Sequence, residues 1–410
     1  MENIKEISGG ITAPAGFYAA SHAAGIKYQG REDMALIYSE VPCKAAGVFT
    51  TNVVKAAPVL WDRKVVEESD YARGVIINSG IANACTGEEG MKICRATAKT
   101  LADKAGDSAE NILVASTGVI GMQIDLEKIV CGTEALFEKK ETGAVAATAA
   151  ARAIMTTDTE KKEIALELPL GGKNVHIGGM CKGSGMIHPN MCTMLGFLTT
   201  DLSIEKALLQ EALSEVVKDT FNMVTVDGDT STNDTLLILA NGLAGNEIIA
   251  EKNADYELFV RALYYICEFM AKKMAADGEG ATKLFEAKVV NAKSKEDART
   301  LSRAIVASNL SKAAIYGCDA NFGRFLCAMG YSGAEFDQGN VELFFESKEG
   351  RLQVFDHGTP LAFDEELAVK ILGAPEVTVY VDMHEGEASA TAWGCDLTYD
   401  YVKINADYRS

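Results

Sequence analysis

The sequence lacks the features that mark membrane, secreted and disulfide-rich proteins. No uninterrupted apolar run reaches about 18 residues, so we expect no membrane span. The first thirty residues contain Glu2, Lys5 and Glu6 and no apolar core of the signal-peptide type. None of the ten cysteines forms a C-x-x-C pair, which favours reduced, buried thiols over a disulfide framework. These absences predict a cytoplasmic protein without a membrane partner.

Positive charge and histidine are also scarce. Lysine and arginine number 39 against 58 aspartates and glutamates, and the resulting net charge of −19 argues against nucleic acid as a partner. One local lysine is still enough to hold a small anionic substrate. No two of the five histidines have the spacing of zinc ligands, and His-E-x-x-His is absent, so no metal site is predicted.

What is present is the composition and periodicity of a globular α/β protein. Hydrophobic residues make up 48% and charged residues 24% of the 410 residues, which is enough chain for one large domain or two. Helical periodicity predicts helices at 88–105, 126–137, 144–155, 204–221, 255–275, 295–308 and 365–372. Apolar runs of strand length lie at 34–38, 46–51, 75–80, 111–115, 163–170, 174–178, 284–290, 312–316, 341–345, 351–355, 376–383 and 388–395.

Thr193 stands where a polar, glycine-rich loop meets an apolar run of strand length. A threonine hydroxyl is a poor nucleophile unless a base lies beside it. If the Cys192–Thr193 bond were cut, the new α-amino group of Thr193, with a pKa of about 7.7–8.0, would be that base. The other interpretation of the same pattern is that Thr193 merely begins a buried strand.

The segment from Lys182 to Leu195, Lys-Gly-Ser-Gly-Met-Ile-His-Pro-Asn-Met-Cys-Thr-Met-Leu, closely resembles a known processing signature. It is that of the glutamate N-acetyltransferase family of arginine biosynthesis, also called ornithine acetyltransferase. The resemblance implies a precursor that cleaves itself before Thr193. His188 and Cys192 stand where the family usually has alanine, which puts the rate of processing in question.

The resemblance extends over essentially the whole chain and implies its fold, products and reaction. The implied fold is α/β, with stacked β-sheets flanked by helices in an N-terminal-nucleophile-like αββα arrangement. Cleavage would give an alpha chain, residues 1–192, and a beta chain, residues 193–410, which assemble as a heterotetramer. The implied reaction is ping-pong transfer of an acetyl group from N-acetylornithine to glutamate through Thr193. No metal or redox cofactor is implied, and acetyl-CoA remains open as a second acetyl donor.

The family's functional residues correspond to positions in several segments of this chain. Thr117 and Gly118, in a Ser-Thr-Gly turn after a predicted strand, correspond to the oxyanion hole. Lys182, inside the glycine-rich loop, suits a substrate carboxylate, and Glu279 suits a substrate ammonium. The substrate-binding set implied by the resemblance is Thr156 (with Thr157 as the alternative), Lys182, Thr193, Glu279, Asn405 and Ser410.

Without the resemblance, each of these positions also has an ordinary structural interpretation. The Ser-Thr-Gly segment is a turn, Glu279 is a surface charge and Asn405 belongs to a frayed terminus. The final residue is Ser410 where the family has threonine, which keeps the hydroxyl and loses a methyl group.

Two other functions remain open at this stage. One is an aminopeptidase or amidase of similar architecture, which would hydrolyse the acyl-enzyme instead of passing its acyl group to an amine. The other is an uncleaved, inactive amino-acid binding protein.

Overall fold

The computed structural model describes residues 4–188 and 194–406. The chain forms two compact units. Among the described residues, unit 1 comprises 4–183, 194–218 and 230–270, and unit 2 comprises 184–188, 219–229 and 271–406. The mixed α/β class predicted from the sequence is confirmed.

Unit 1 is built on a nine-stranded sheet in the order β1-β6-β7-β8-β9-β3-β4-β5, with β2 paired to β3. Its strands are β1 Lys5–Ile7, β2 Phe17–His22, β3 Met34–Phe49, β4 Ala72–Asn78, β5 Ile112–Ser116, β6 Lys162–Leu170, β7 Lys173–Lys182, β8 Leu195–Thr200 and β9 Thr235–Ala240. Its helices are α1 Ala57–Glu68, α2 Gly87–Ala105, α3 Leu126–Lys139, α4 Ala144–Ala153 and α5 Lys206–Lys218, and α6 Ala254–Ala276 begins in this unit.

The long strand β3 joins the two parts of this sheet. Its first half pairs with β2 and β4, and residues 44–49 pair with β9 after an irregularity in register between Tyr38 and Cys43. The two short strands predicted at 34–38 and 46–51 are therefore one strand of 16 residues. Both halves supply buried apolar side chains to the core, which explains why each half had the pattern of a separate strand.

Unit 2 is built on a six-stranded sheet in the order β13-β12-β11-β14-β10-β15. Its strands are β10 Leu284–Ala292, β11 Glu342–Ser347, β12 Gly350–Asp356, β13 Thr359–Pro360, β14 Glu376–Asp382 and β15 Ala388–Cys395. Its helices are α7 Lys295–Ala307, α8 Asn309–Tyr316, α9 Phe322–Gly330, α10 Glu365–Leu372 and α11 Tyr399–Ala406. Helix α10 has the predicted bounds, and the Asp364 side chain caps its N-terminus by accepting two backbone N–H bonds.

The strand predicted at 312–316 is wrong, because these residues lie in α8. The hydroxyl of Ser308 caps this helix by accepting the Ser311 N–H. Lys312 is buried, and its ammonium donates to the Val226 carbonyl at 2.6 Å. A buried lysine whose acceptors, the Val226 carbonyl and the Cys395 sulfur, are distant in sequence cannot be recognised from a hydrophobicity pattern, so the short apolar run resembled a strand.

Strands β7, β8 and β9 position the predicted processing segment. Lys182 pairs with Leu195 across β7 and β8, and Leu195 pairs with Thr235 across β8 and β9. The sequence placed Lys182 inside a loop, whereas it is the last residue of the ten-residue strand β7. Backbone pairing thus fixes the direction of Lys182. Among the helices of the described ranges, none is both long and apolar enough to cross a bilayer.

Candidate functional site

Asp158 organises the cationic part of the candidate site in unit 1. Its carboxylate accepts the Lys162 ammonium at 2.7 Å and the Gly183 N–H at 2.7 Å, and it lies 3.8 Å from the Lys182 ammonium. The Thr156 N–H donates to the same carboxylate at 3.1 Å. Two predicted substrate-binding residues, Thr156 and Lys182, are therefore brought together by a third residue that the sequence did not single out.

The electrostatics of this cluster keep Asp158 ionised. Burial alone would raise the pKa of its carboxyl group, but the charges of Lys182 and Lys162 and the Gly183 N–H outweigh burial and lower that pKa to about 2. The side chains of Asp158 and Lys162 are 0% and 1% exposed, and that of Lys182 is 9% exposed. The ammonium groups of Lys162 and Lys182 thus lie at one buried carboxylate, which also accepts the Thr156 N–H.

The predicted oxyanion turn follows β5. The Thr117 N–H donates to the Asn78 carbonyl at 3.0 Å, so only the Thr117 hydroxyl remains as a donor toward a ligand. The Gly118 N–H meets no acceptor within residues 4–188 and 194–406. Gly118 has φ +131°, and a Cβ there would lie 2.2 Å from the Gly80 backbone, so no other residue fits. The turn can thus offer one backbone N–H and one hydroxyl.

The segment before β9 connects this turn to the start of the strand that follows Thr193. Asn233 donates its amide to the Ala82 and Ser116 carbonyls at 2.6 and 2.7 Å. The next residue, Asp234, accepts a backbone hydrogen bond from Met194. Residues 231–234 therefore tie Ser116, at the end of β5, to the first described residue after Thr193.

Asp234 is a buried acid whose charge is only partly compensated. Burial raises its pKa well above the usual value, and hydrogen bonds from Ser231, Thr50 and Met194 together with the Lys182 charge offset this only in part. Its exposed fraction is 1%. The carboxyl group of Asp234 is therefore buried beside Met194, the first described residue of the segment that leads into β8.

An open cavity of about 670 Å³ borders the Asp158 cluster within unit 1. Its lining includes Arg31, Arg152, Met155, Asp158 and Lys161. Charged side chains of both signs, Arg31, Arg152 and Glu160 among them, line this cavity, while the Asp158 carboxylate itself is buried.

The candidate residues of unit 2 meet around Glu279. The side chain of Asn405, in α11, donates to Glu279 Oε2 at 2.7 Å, and the Glu279 N–H donates to the Ser184 carbonyl at 2.9 Å. A Cβ on Gly185 would lie 2.3 Å from the Glu279 carboxyl carbon, so the carboxylate lies directly against this glycine. The structure thus brings together Glu279 and Asn405, which the resemblance assigned to substrate binding from distant parts of the chain.

Glu279 differs from Asp158 in having no cationic partner. It is 5% exposed, and within the described parts of the chain no lysine, arginine or histidine nitrogen pairs with its carboxylate. A buried carboxylate that accepts an amide bond and lacks a counter-charge favours a ligand that brings its own ammonium group. The alternative interpretation of Glu279 as an exposed surface charge is wrong, because the residue is buried.

His188 belongs to unit 2. Its Nδ1 lies 3.0 Å from the Thr225 hydroxyl, and its Nε2 lies 3.3 Å from the Arg303 guanidinium. Burial and then the Arg303 charge lower the pKa of His188, which favours the neutral ring near neutral pH.

Three predicted residues, Cys192, Thr193 and Ser410, lie outside the described residues. Their predicted roles in cleavage, nucleophilic attack and substrate binding are untested by the geometry.

Sequence reasoning missed Asp158 and Asp234. Asp158 lies in the Met-Thr-Thr-Asp-Thr segment, where the attention fell on the threonines, and Asp234 lies in the acidic, threonine-rich segment before β9. An aspartate two positions before a fully apolar run, as Asp234 is before Leu236-Leu-Ile-Leu-Ala240, is one signal of burial that could have identified it.

Fixed ammonium groups, an unengaged glycine N–H and an uncompensated buried carboxylate suit an α/β enzyme that acts on a small charged molecule. The sequence profile of the ArgJ family matches residues 18–410. The chain belongs to the ArgJ family. This confirms the resemblance to the glutamate N-acetyltransferase family, and the chain is therefore an enzyme of that family.

Individual relatives agree with this assignment over nearly their whole length. The arginine biosynthesis bifunctional protein ArgJ of Symbiobacterium thermophilum is 52% identical over 408 residues, 98% of this chain and 99% of that protein. The ArgJ 1 protein of Clostridium acetobutylicum is 50% identical and covers 100% of both chains. A crystal structure of the ArgJ protein of Bacillus halodurans is 46% identical with a TM-score of 0.50, covering 53% of this chain and 100% of that chain.

Proposed function

We propose that this enzyme transfers the acetyl group of N2-acetyl-L-ornithine to L-glutamate through an acetyl ester on Thr193. The proposal includes autoproteolysis at Cys192–Thr193, a cytoplasmic location, and assembly of two copies of the two-chain unit as a heterotetramer. Family membership and the processing segment support the reaction. One structural observation carries the choice of an amino-acid substrate: the buried Glu279 carboxylate has no cationic partner among the described residues.

Sheet topology supports two chains that stay together after the cut. Strand β8 lies after the proposed cut and pairs on one side with β7, which lies before it. Strand β9 likewise pairs with β3, from before the cut. Cleavage would therefore leave two rows of backbone hydrogen bonds between residues 1–192 and 193–410. The length of the solved Bacillus halodurans chain also supports cleavage, because it matches 53% of this chain and residues 193–410 are 218 of 410.

In the proposed acylation, the amine of Thr193 accepts the proton of its own hydroxyl, and the oxygen attacks the acetyl carbonyl carbon. The oxyanion receives hydrogen bonds from the Gly118 N–H and the Thr117 hydroxyl. When the tetrahedral intermediate collapses, the C–N bond breaks and ornithine leaves, its amine taking the proton held by the Thr193 amine. The amine of glutamate then attacks the acetyl ester and regenerates the hydroxyl.

Substrate binding follows from the two different carboxylates. Lys182, held by Asp158, offers its ammonium to a substrate carboxylate, with Thr156 beside it. Glu279, oriented by Asn405, offers a carboxylate to a substrate ammonium. We propose that Ser410 also contacts the substrate, and only the resemblance supports this.

The curated relatives carry the name bifunctional protein, and this supports a second acetyl donor. We propose that acetyl-CoA also acetylates Thr193 and so allows synthesis of N-acetylglutamate. The measurement is formation of N-acetylglutamate from acetyl-CoA and glutamate in the absence of N-acetylornithine.

The central experiment is intact-mass analysis of the purified protein beside a Thr193→Ala variant. We expect two fragments from the wild type, split between Cys192 and Thr193, and one uncut chain from the variant. N-acetylornithine should add one acetyl group to the second fragment, and glutamate should remove it as N-acetylglutamate. An uncut wild-type chain without adduct would contradict the proposal and favour a binding protein. An adduct that water removes as fast as glutamate does would favour a hydrolase.

A further inference from the structure

Two histidines and three carboxylates meet at one end of the sheet of unit 2. Glu342 begins β11, and it pairs in register with Asp382 at the end of β14. Asp356 ends β12, the other neighbour of β11. His357 directly follows the end of β12, and His384 lies two residues after the end of β14, so both residues lie at the same edge of the sheet. The two histidines are 27 positions apart in sequence, which is why no motif identified them.

The nitrogen and oxygen atoms of this cluster converge on Glu342. His357 Nδ1 lies 2.7 Å from Asp356 Oδ1 and 3.9 Å from Glu342 Oε1. His384 Nε2 lies 2.9 Å from Glu342 Oε2, and its Nδ1 lies 3.6 Å from Asp382 Oδ1. The two imidazole rings stack with centroids 5.2 Å apart. Both residues have left-handed backbones, with φ of 43° and 51°, and histidine is one of the side chains enriched in that conformation.

The charges of the cluster are unbalanced. In the part of the chain that the structure describes, no lysine or arginine pairs with Glu342, Asp356 or Asp382, whose only charged partners are the two histidines. Neutral amides complete the surroundings: Asn291 donates to both oxygens of Asp382, and Gln353 donates to Glu342 Oε1. Hydrogen bonds to ligating carboxylates are common around protein metal ions, because they fix the orientation of the ligands.

We propose that this cluster binds one divalent transition-metal ion of the Zn²⁺ type through Glu342, Asp356 and His357, with His384 as the fourth ligand. The donor atoms of the first three lie within 4.8 Å of one another. In a tetrahedral site with bonds of about 2.0–2.1 Å, ligand atoms are about 3.3 Å apart, so small side-chain rotations suffice. Asp382 already accepts both Asn291 bonds and the His384 N–H, so it supports the site from behind.

The donor set also selects the class of ion. Imidazole nitrogen with carboxylate oxygen suits Zn²⁺, Co²⁺ and Ni²⁺, whereas Ca²⁺ and Mg²⁺ prefer oxygen ligands alone. The ion would connect the ends of β11, β12 and the turn after β14. This site shares no residue with the candidate catalytic groups, and we assign it a stabilising role.

The test is binding of Zn²⁺ to the chelator-treated, full-length enzyme, measured by competition with a chromogenic zinc indicator. The key variants are His357→Asn and the double variant His357→Asn/His384→Asn, because asparagine also tolerates a left-handed backbone. His22→Asn is the matched control, since the His22 ring contacts the Lys139 ammonium. Circular dichroism and acetyltransferase activity verify that each variant folds.

We expect one Zn²⁺ per chain, binding at least tenfold weaker in His357→Asn, lost in the double variant and unchanged in His22→Asn. Zn²⁺ should raise the melting temperature of the wild type and the control only. A Co²⁺ spectrum without thiolate bands should exclude the exposed cysteines Cys85, Cys131 and Cys327 as the ligands. The proposal is wrong if the wild type binds no Zn²⁺, or if the double variant binds it as tightly as the control.

Discussion

Asp158 and Glu279 are both buried carboxylates, but their surroundings assign them opposite tasks. Asp158 accepts the Lys162 ammonium and faces that of Lys182, so its charge is balanced within the protein. Within the described residues, Glu279 accepts an amide hydrogen bond from Asn405 and pairs with no cation. In the proposed function, Asp158 positions the Lys182 ammonium for a substrate carboxylate, and Glu279 pairs with the ammonium group of the substrate.

This difference separates stability from activity. Removing one partner of a buried ion pair leaves an uncompensated charge and costs more than the pair itself contributes. Neutralising a buried carboxylate that has no counter-charge removes a desolvation penalty. Loss of Asp158 should therefore damage the fold first, and loss of Glu279 should damage the reaction first.

The largest effect is expected from Asp158→Asn. The change removes the buried carboxylate that pairs with Lys162 and faces Lys182, so we expect the unfolding free energy to fall by about 3–5 kcal/mol. Urea denaturation gives this value. Asp103→Asn is the matched control, because Lys99 and Asp103 form an exposed pair with the same four-residue spacing. That control should lose at most about 0.5 kcal/mol, and an equal loss in both variants would contradict the role of burial.

Acid should reproduce part of this loss without mutation. The folded pKa of Asp158 is lowered to about 2, below its unfolded value of about 3.9. Its stabilisation is therefore complete above about pH 4 and disappears as the pH falls through 2. A shift of this size corresponds to about 2–3 kcal/mol. Urea denaturation of wild type and Asp158→Asn at a series of pH values should show that the difference in unfolding free energy between them narrows below pH 4. A difference that does not change with pH would contradict the lowered pKa of Asp158.

Glu279→Gln should change activity and leave stability intact. Glutamine keeps the shape and the contact with Asn405 but cannot balance a substrate ammonium. A hydrogen bond to a charged group contributes about 1.5–3 kcal/mol, so kcat/KM should fall about 10- to 100-fold. Urea denaturation should give wild-type stability or slightly more. A destabilised variant with normal kinetics would reverse the comparison between the two carboxylates.

How much of this arrangement the sequence could predict depends on the range of the contact. Helix α10 and the hairpin of β11 and β12 follow from local periodicity and turn residues, and they were predicted within a residue or two. The α8 segment was predicted as a strand because its stabilising contact, Lys312 with Val226, is 86 positions away in sequence. Local patterns carry no information about such a partner.

The candidate site shows the same limit. The resemblance identified Lys182 and Glu279 as candidate residues. The burial of Glu279 and its contact with Gly185, 94 positions away in sequence, could be seen only in the folded structure. Asp158 was missed because its importance comes from its burial between Lys162, four positions away in sequence, and Lys182, 24 positions away. Sequence motifs identified the candidate residues, whereas only the three-dimensional structure showed which charged groups lie beside each carboxylate.

Gly185→Ala gives the smallest expected effect and the most direct test of how Glu279 is held. The new Cβ would lie 2.3–2.4 Å from the Glu279 carboxyl atoms, which form the flexible end of a side chain and can move aside. The fold should therefore lose little stability, but the displaced carboxylate should raise KM for the amino-acid substrate about tenfold, equal to about 1.4 kcal/mol.

Gly330→Ala is the matched control in unit 2, because a Cβ there meets nothing within 4 Å. Steady-state kinetics and urea denaturation of both variants separate the two effects. If Gly185→Ala kept the wild-type KM, the carboxylate would not need its place against Gly185 to bind substrate. Glu279 would then bind substrate from another rotamer. The two carboxylates would then differ only in whether a protein cation compensates their charge.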